Sequence, residues 1–86
     1  MRWRIEFERN ARRYFEKLDK PIQKQIENYL DKLVQLDDPR QRGKGLTASR
    51  SGQWRYRVGD YRIICEIQDS VLVVLILEIG HRSNVY

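Results

Sequence analysis

The most restrictive feature of this sequence is a pair of apolar and aromatic segments separated by only two residues. Trp54–Val58 and Tyr61–Ile67 flank Gly59-Asp60. Glycine at the first central position suits a type II′ turn, whose twist matches that of the two strands it joins. The segment therefore predicts an antiparallel β-hairpin with a defined register.

That register divides the side chains of the hairpin between two faces. Arg57 lies opposite Arg62, and directly opposed residues share a face of the sheet. One face carries Trp54, Tyr56, Val58, Tyr61, Ile63, Cys65 and Ile67, and the other carries Arg55, Arg57, Arg62, Ile64 and Glu66. We expect the first face to be packed, with Cys65 as a small core residue rather than a nucleophile.

The opposed arginines allow two interpretations. Like charges directly opposite one another in a sheet cost a few tenths to about 1 kcal/mol, unless an anion lies between them. Either Arg57 and Arg62 hold a phosphate in bidentate geometry, or both side chains extend into water. Residues 40–62 contain seven basic residues against Asp60 alone, a local charge of +6 in a chain of net charge +5. This concentration favours a phosphate-rich partner or an acidic protein segment.

The remaining segments predict the fold class. Alternation over residues 2–7 indicates a strand at or near an edge, helical spacing follows over about 10–18, and Asp19-Lys20-Pro21 starts a second helix. Residues 40–52 are predicted to form a loop, and Val71–Ile79 is predicted to form the last strand. The order β-α-α-β-β-β predicts an α+β domain over residues 1–86, with the helical hairpin on one face of a four-stranded, mostly antiparallel sheet.

Composition excludes several classes of function. One cysteine and one histidine do not supply a disulfide or a zinc site, so we expect no metal and no cofactor. The longest apolar run, Val71–Leu77, is far shorter than the roughly 20 residues that span a bilayer. We expect a cytoplasmic protein with no membrane partner.

The C-terminal segment combines three groups suited to proton transfer or phosphate binding. His81 exchanges a proton near neutral pH, Tyr86 can donate one, and Arg82 can hold a phosphate. A frayed tail explains the same composition equally well. The segment follows a strand expected to lie beside Tyr61–Ile67, which would bring it to the arginines.

Two of these motifs together resemble the RelE/ParE superfamily of type II toxins, and within it the RelE-type mRNA endonucleases. They are Trp54-Arg-Tyr-Arg-Val-Gly-Asp-Tyr-Arg62 and Ile79-Gly-His-Arg-Ser-Asn-Val-Tyr86, with Leu18-Asp-Lys-Pro-Ile-Gln-Lys24 as weaker support. The resemblance implies a toxin that enters the ribosomal A site, cleaves mRNA there without metal, and is neutralised by a cognate RelB-like antitoxin. Cleavage in such toxins proceeds by attack of the ribose 2′-hydroxyl on the adjacent phosphate.

The resemblance also implies roles for individual residues. We expect Arg57, Arg62, Arg82, Tyr86 and His81 to be catalytic. Arg55, Lys44 and Arg50 are expected to bind the RNA. Because an arginine does not give up its proton at neutral pH, the general base is left open between His81 and Tyr86.

Two other functions remain open on the sequence alone. A ParE-like toxin of the same fold poisons DNA gyrase and is not a nuclease. A catalytically silent domain would bind nucleic acid with strong salt dependence and form no product.

Overall fold

A computed structural model describes residues 2–82 of the chain, and its helices and strands follow the predicted order. The elements are β1 (Arg4–Phe7), α1 (Arg9–Glu16), α2 (Lys20–Leu33), β2 (Lys44–Gly45), β3 (Trp54–Val58), β4 (Tyr61–Gln68) and β5 (Val73–His81). Two single 3₁₀ turns, Pro39–Gln41 and Ala48–Arg50, lie in the long connection between α2 and β3.

The strands form one sheet in the order β1-β5-β4-β3-β2. β1 is an edge strand and pairs in parallel with β5, whereas all other neighbours are antiparallel. The α+β class and the mostly antiparallel sheet are thus confirmed. The predicted number of four strands is wrong, because the sheet has five.

The additional strand is the two-residue β2, which lies in the segment predicted to be a loop. Two residues are too few to show a period-two pattern, and the strand exists through its pairing with Trp54 and Arg55 of β3. Gly43 enters it with φ +76°, a conformation that favours glycine. A Cβ at Gly45 would lie 3.1 Å from the Trp54 ring, so glycine allows the close approach.

The two helices are joined by a tight hairpin that α2 itself stabilises. Pro21 lies in the first turn of α2, where a missing N–H costs nothing. The Gln23 side-chain amide donates to the carbonyl oxygens of Phe15 and Leu18, at 3.0 Å each. These carbonyls lie where α1 ends, and the amide adds a second donor to the Phe15 carbonyl, which also accepts from the Leu18 N–H at 3.1 Å.

Both helices pack on one face of the sheet, and their apolar stripes form the core with it. Ile26, Leu30 and Leu33 of α2 are buried, as are Ala11 and Phe15 of α1. The sheet contributes Tyr56, Val58, Ile63, Cys65, Val74, Ile76 and Ile79 to the same cluster. The predicted packed face of the hairpin is therefore confirmed, including the core position of Cys65.

Three contacts anchor the long connection to the sheet. The Tyr56 hydroxyl donates to the Pro39 carbonyl at 2.8 Å, and both residues are buried. Arg40 binds both carboxylate oxygens of Asp69, at 3.1 and 2.7 Å. The Trp3 indole N–H donates to the Asp37 carbonyl at 3.1 Å. The connection is thereby held where it can carry its own basic residues to the sheet.

Candidate active site

The sheet face away from the helices carries the predicted arginines in the predicted register. Val58 pairs with Tyr61, Arg57 with Arg62, and Arg55 with Ile64. Gly59 has φ +58° and Asp60 is not in the positive-φ region, as a type II′ turn requires. This register is set by the turn, so the arginine face follows from local sequence alone.

Cross-strand pairing arranges this face in two adjacent rows. One row runs from Arg57 on β3 to Arg62 on β4 and Gly80 on β5. Arg57 is exposed and Arg62 half-buried, and Gly80 adds no side chain. The row therefore has two arginine side chains beside Gly80, a buried residue that adds no side chain of its own. Two guanidinium groups on one face suit a bound phosphate group.

The second row brings together residues from four strands. Lys44 on β2, Arg55 on β3, Ile64 on β4 and Glu78 on β5 lie side by side. Ile64 is fully buried although it belongs to the arginine face. Two of the residues expected to bind RNA, Lys44 and Arg55, are thus neighbours, and the pairing of β2 brings them together.

A β-bulge in β5 decides which side chains reach this face. Ile64 pairs with Glu78 but the next residue, Cys65, pairs with Ile76, so Leu77 is an extra residue in β5. Bulges shift the alternation of all residues beyond them and are common next to active sites. Here the shift places Glu78 on the arginine face and Ile79 in the core.

Arg50, the third residue expected to bind RNA, reaches the same face from the connection. One guanidinium nitrogen lies 2.7 Å from a Glu78 carboxylate oxygen, and another donates to the Gln53 amide oxygen at 3.2 Å. Because Glu78 lies beside Ile64, the ion pair crosses the centre of the face. Arg50 and Glu78 thus link the connection to β5.

The structure places His81 away from the arginines. His81 pairs with Tyr61, whose side chain lies on the helix face, and the two rings meet edge to face with centroids 5.6 Å apart. Of the two residues left open as general base, His81 lies on the opposite side of the sheet and Tyr86 lies outside the described residues.

Arg82 lies at the hairpin end of the face. Its backbone N–H donates to the Asp60 carbonyl at 2.8 Å, and its guanidinium lies 4.0 Å from the Asp60 carboxylate. The side chain is 69% exposed, so this weak pairing leaves it accessible to a ligand. Arg82 follows Gly80 by two residues, which is the spacing of one face of a strand.

Beyond Arg57 the basic surface continues around the free edge of β3. A hollow of about 330 Å³ is lined there by Arg57, Arg42 and Lys32, together with Gln25, Asn28, Tyr29, Val58 and Gly59. The Arg42 guanidinium lies 5.8 Å from the centre of the Tyr29 ring. Burial raises the pKa of the Tyr29 hydroxyl, and nearby Arg42 partly offsets this. Sequence reasoning did not single out Arg42 or Lys32, because their proximity depends on how α2 packs.

The described part of the chain was also compared with what a reactive cysteine, a metal site or a membrane span requires. Cys65 is fully buried and burial strongly raises its thiol pKa, so it is not a reactive thiolate. Within residues 2–82 no three His, Cys, Asp or Glu side chains are grouped as metal ligands. Neither described helix has the length and hydropathy needed to cross a membrane.

Comparison with known proteins identifies the family. A model described as the ParE toxin of the type II toxin–antitoxin system parDE matches residues 5–86, nearly the whole chain. The chain belongs to this toxin family. The predicted membership of the RelE/ParE superfamily is confirmed, and the protein is a type II toxin. A search of curated proteins gives no match.

Solved structures agree with this assignment. The RelBE2 toxin–antitoxin complex of Mycobacterium tuberculosis matches with 29% identity and a TM-score of 0.84, over 95% of the toxin described here and 100% of that chain. The archaeal RelE–RelB complex of Pyrococcus horikoshii matches with 23% identity and a TM-score of 0.75, over 99% and 100%. Isolated Escherichia coli RelE matches with 16% identity and a TM-score of 0.75, over 92% and 83%. For the P. horikoshii and E. coli proteins, both under 25% identical, the similarity concerns the fold.

Proposed function

We propose that the toxin is a metal-independent endoribonuclease that cleaves mRNA in the ribosomal A site. The observation that carries this proposal is the row of Arg57, Arg62 and Gly80, where two arginines oppose each other and the next strand adds no side chain. Like charges on opposed residues of a sheet repel each other, and a bound phosphodiester would place negative charge beside both cations.

The row can stabilise the charge that develops during phosphodiester cleavage. When the ribose 2′-hydroxyl attacks the adjacent phosphorus, negative charge grows on the phosphorane oxygens. In the proposed mechanism Arg57 and Arg62 bind these oxygens, while Lys44 and Arg55 in the adjacent row bind a neighbouring part of the RNA backbone. Arg82 and Tyr86 remain proposed catalytic residues, with Tyr86 as the proton donor to the leaving 5′-oxygen. The products are a cyclic phosphate and a 5′-hydroxyl.

Programmed ribosomes provide the direct test. Purified toxin is incubated with ribosomes carrying a defined mRNA, and the cut positions are mapped. We expect codon-positioned cuts that fall by 10²-fold or more, an order-of-magnitude value for loss of one charge-stabilising donor, in Arg62→Ala. Tyr86→Phe should also slow cleavage. Arg13→Ala removes an exposed arginine of α1 on the other side of the sheet, and should cleave like the wild type. Equal cleavage by all three variants would refute the site.

Naked RNA should be cut poorly. A site made of positioning and charge stabilisation depends on the ribosome to orient the nucleotide for in-line attack. The same mRNA without ribosomes is therefore the matched control, and efficient cutting of it would contradict ribosome dependence.

The family model supports a second candidate, because it is described by the name ParE. A ParE-like toxin would poison DNA gyrase with the same fold. Inhibition of DNA supercoiling by the toxin at concentrations that leave ribosome-bound mRNA intact would favour this candidate over cleavage. Salt-dependent RNA binding without product would instead favour a catalytically silent domain.

We also propose an antitoxin as the toxin's natural partner. The matched structures from M. tuberculosis and P. horikoshii are of toxin–antitoxin and RelE–RelB complexes. An acidic or amphipathic antitoxin segment that orders on binding would fit the basic face. Coexpression with the product of a small adjoining reading frame tests this, and we expect copurification that Arg57→Glu weakens.

A further inference from the structure

The proposed cleavage needs a group that removes the proton from the 2′-hydroxyl. An arginine guanidinium keeps its proton at neutral pH, so Arg57 and Arg62 do not suit this role. His81 lies on the opposite face of the sheet. The arginine face must therefore supply another acceptor for the proposed reaction to run.

We propose that Glu78 accepts this proton, an inference that rests on the proposed nuclease function. Ile64 pairs with Glu78 and Arg62 pairs with Gly80, so Glu78 is a diagonal neighbour of Arg62 on the same face. Diagonal neighbours in an antiparallel pair are separated by about 7–8 Å. A phosphate held by Arg62 would then have its adjacent ribose within reach of the Glu78 carboxylate.

The bulge in β5 is what makes this position available. In a regular ladder Leu77 would pair with Ile64, so Glu78 would pair with Ile63 on the core face and Ile79 would lie beside Arg62. The bulge replaces that apolar neighbour with Gly80 and brings a carboxylate into a basic surface. Such a shift of side-chain direction is a common use of bulges near active sites.

The ion pair with Arg50 suits Glu78 to this role. The 2.7 Å contact holds the carboxylate in the middle of the face, where its side chain is 45% exposed. A carboxylate has about four acceptor positions, so one guanidinium does not exhaust it.

Two other carboxylates near this face are placed less well. Glu66 lies four residues from Arg62 along β4, about 13 Å at 3.3 Å per residue, and it accepts from the Gln68 amide at 2.7 Å. Asp60 lies in the turn beyond the row and faces Arg82. Glu66, at that distance from Arg62, is a suitable control for the general effect of removing a carboxylate from this face, whereas Asp60 contacts the proposed catalytic residue Arg82.

The proposed step is balanced in protons and bonds. Glu78 takes the 2′-hydroxyl proton as the 2′-oxygen forms its bond to phosphorus. The bond between phosphorus and the 5′-oxygen breaks, and the leaving oxygen takes up a proton from Tyr86. Glu78 then releases its proton to solvent, and Tyr86 regains one from solvent.

The test compares single-turnover cleavage on programmed ribosomes across the acidic to neutral pH range. We expect the wild-type rate to rise with pH through an acidic limb. Glu78→Gln, which keeps the size of the side chain, should lose 10²- to 10⁴-fold in rate, an order-of-magnitude range for general base catalysis, and should lose the acidic limb. Glu66→Gln should keep both the rate and the acidic limb.

Arg50→Ala separates proton transfer from positioning. If Glu78 only holds Arg50 in place, Arg50→Ala and Glu78→Gln will lose the same factor in cleavage rate and show the same pH profile. That result would overturn the proposal. We expect Arg50→Ala to keep the acidic limb. Thermal unfolding of each variant checks the fold, and Glu78→Asp should recover part of the rate.

The outcomes distinguish this proposal from the one it rests on. No cleavage by the wild-type toxin would refute the nuclease function and the role of Glu78 together. Cleavage by the wild type with an unchanged rate and pH profile in Glu78→Gln would refute the role of Glu78 alone.

Discussion

Replacing Tyr56 with phenylalanine removes one hydroxyl group from the centre of the molecule. That hydroxyl donates to the Pro39 carbonyl at 2.8 Å, and Tyr56 and Pro39 are both buried. The variant keeps the ring in the core and leaves the Pro39 carbonyl with only the long contact from the Arg42 N–H, at 3.5 Å. The expected cost is that of one hydrogen bond, about 0.5–1.5 kcal/mol. Since 1 kcal/mol shifts the Tm of a domain of this size by about 4–8 °C, the Tm should fall by at least about 2 °C.

Urea and thermal unfolding of wild type, Tyr56→Phe and Tyr14→Phe measure this loss. Tyr14 is 38% exposed, so its variant should unfold like the wild type. The urea m-value should stay constant in both variants, because the area exposed on unfolding does not change. If Tyr56→Phe and Tyr14→Phe are equally stable, the hydrogen bond does not anchor the connection.

The same variant has a distinct signature at high pH. Burial raises the pKa of the Tyr56 hydroxyl above its ordinary value of about 10. The unfolded chain therefore releases this proton first, and stability present below pH 10 is lost as the pH rises above it. Wild-type stability should decline more steeply than that of Tyr56→Phe above about pH 10. Parallel declines would show that Tyr56 ionises equally in both states.

Three further changes test other parts of the structure. Arg57→Gln removes the like charge opposite a second arginine, so at low salt it should raise the free energy of unfolding by about 0.2–1 kcal/mol. Added salt should erase this gain, and a loss at low salt would contradict it. Gly43→Ala should lower the Tm more than Gly52→Ala, because both glycines have positive φ but only at Gly43 does a Cβ collide with backbone, the Arg55 carbonyl oxygen. Equal losses would mean that the contact is relieved. Asp69→Asn should destabilise at neutral pH, because the Arg40 hydrogen bond lowers the Asp69 pKa. Urea unfolding should show the difference shrink once the pH falls below about 3.9, the ordinary pKa of aspartate, and vanish below the lowered pKa of folded Asp69. A difference that persists there would argue against the ion pair.

Local sequence is sufficient to predict the hairpin and its two faces. Gly59 and Asp60 define a two-residue turn, and a two-residue turn determines which residues oppose each other. The turn residues alone therefore place Arg57 opposite Arg62. Strand and helix periods likewise predict which sides of α2 and β3 are buried, since each depends only on neighbouring residues.

The fifth strand depends on the tertiary structure. β2 has two residues and no period of its own, and it exists because Gly45 can lie against Trp54 of a later strand. Lys44 enters the arginine face only through this pairing. The proximity of Arg42 and Lys32 at the β3 edge likewise depends on helix packing.

The sequence by itself determined the order of the elements, the hairpin register and the two arginines that face each other across it. The tertiary structure decided what lies beside them, through one extra residue in β5. With an unbroken alternation, His81 would share the face of Arg62 and Glu78 would lie in the core. The bulge reverses both placements, because it moves the side chain of every residue beyond Leu77 to the other face of the sheet. A turn is encoded by the residues that form it, whereas this bulge depends on how β5 pairs with β4 and packs Ile79 under the helices.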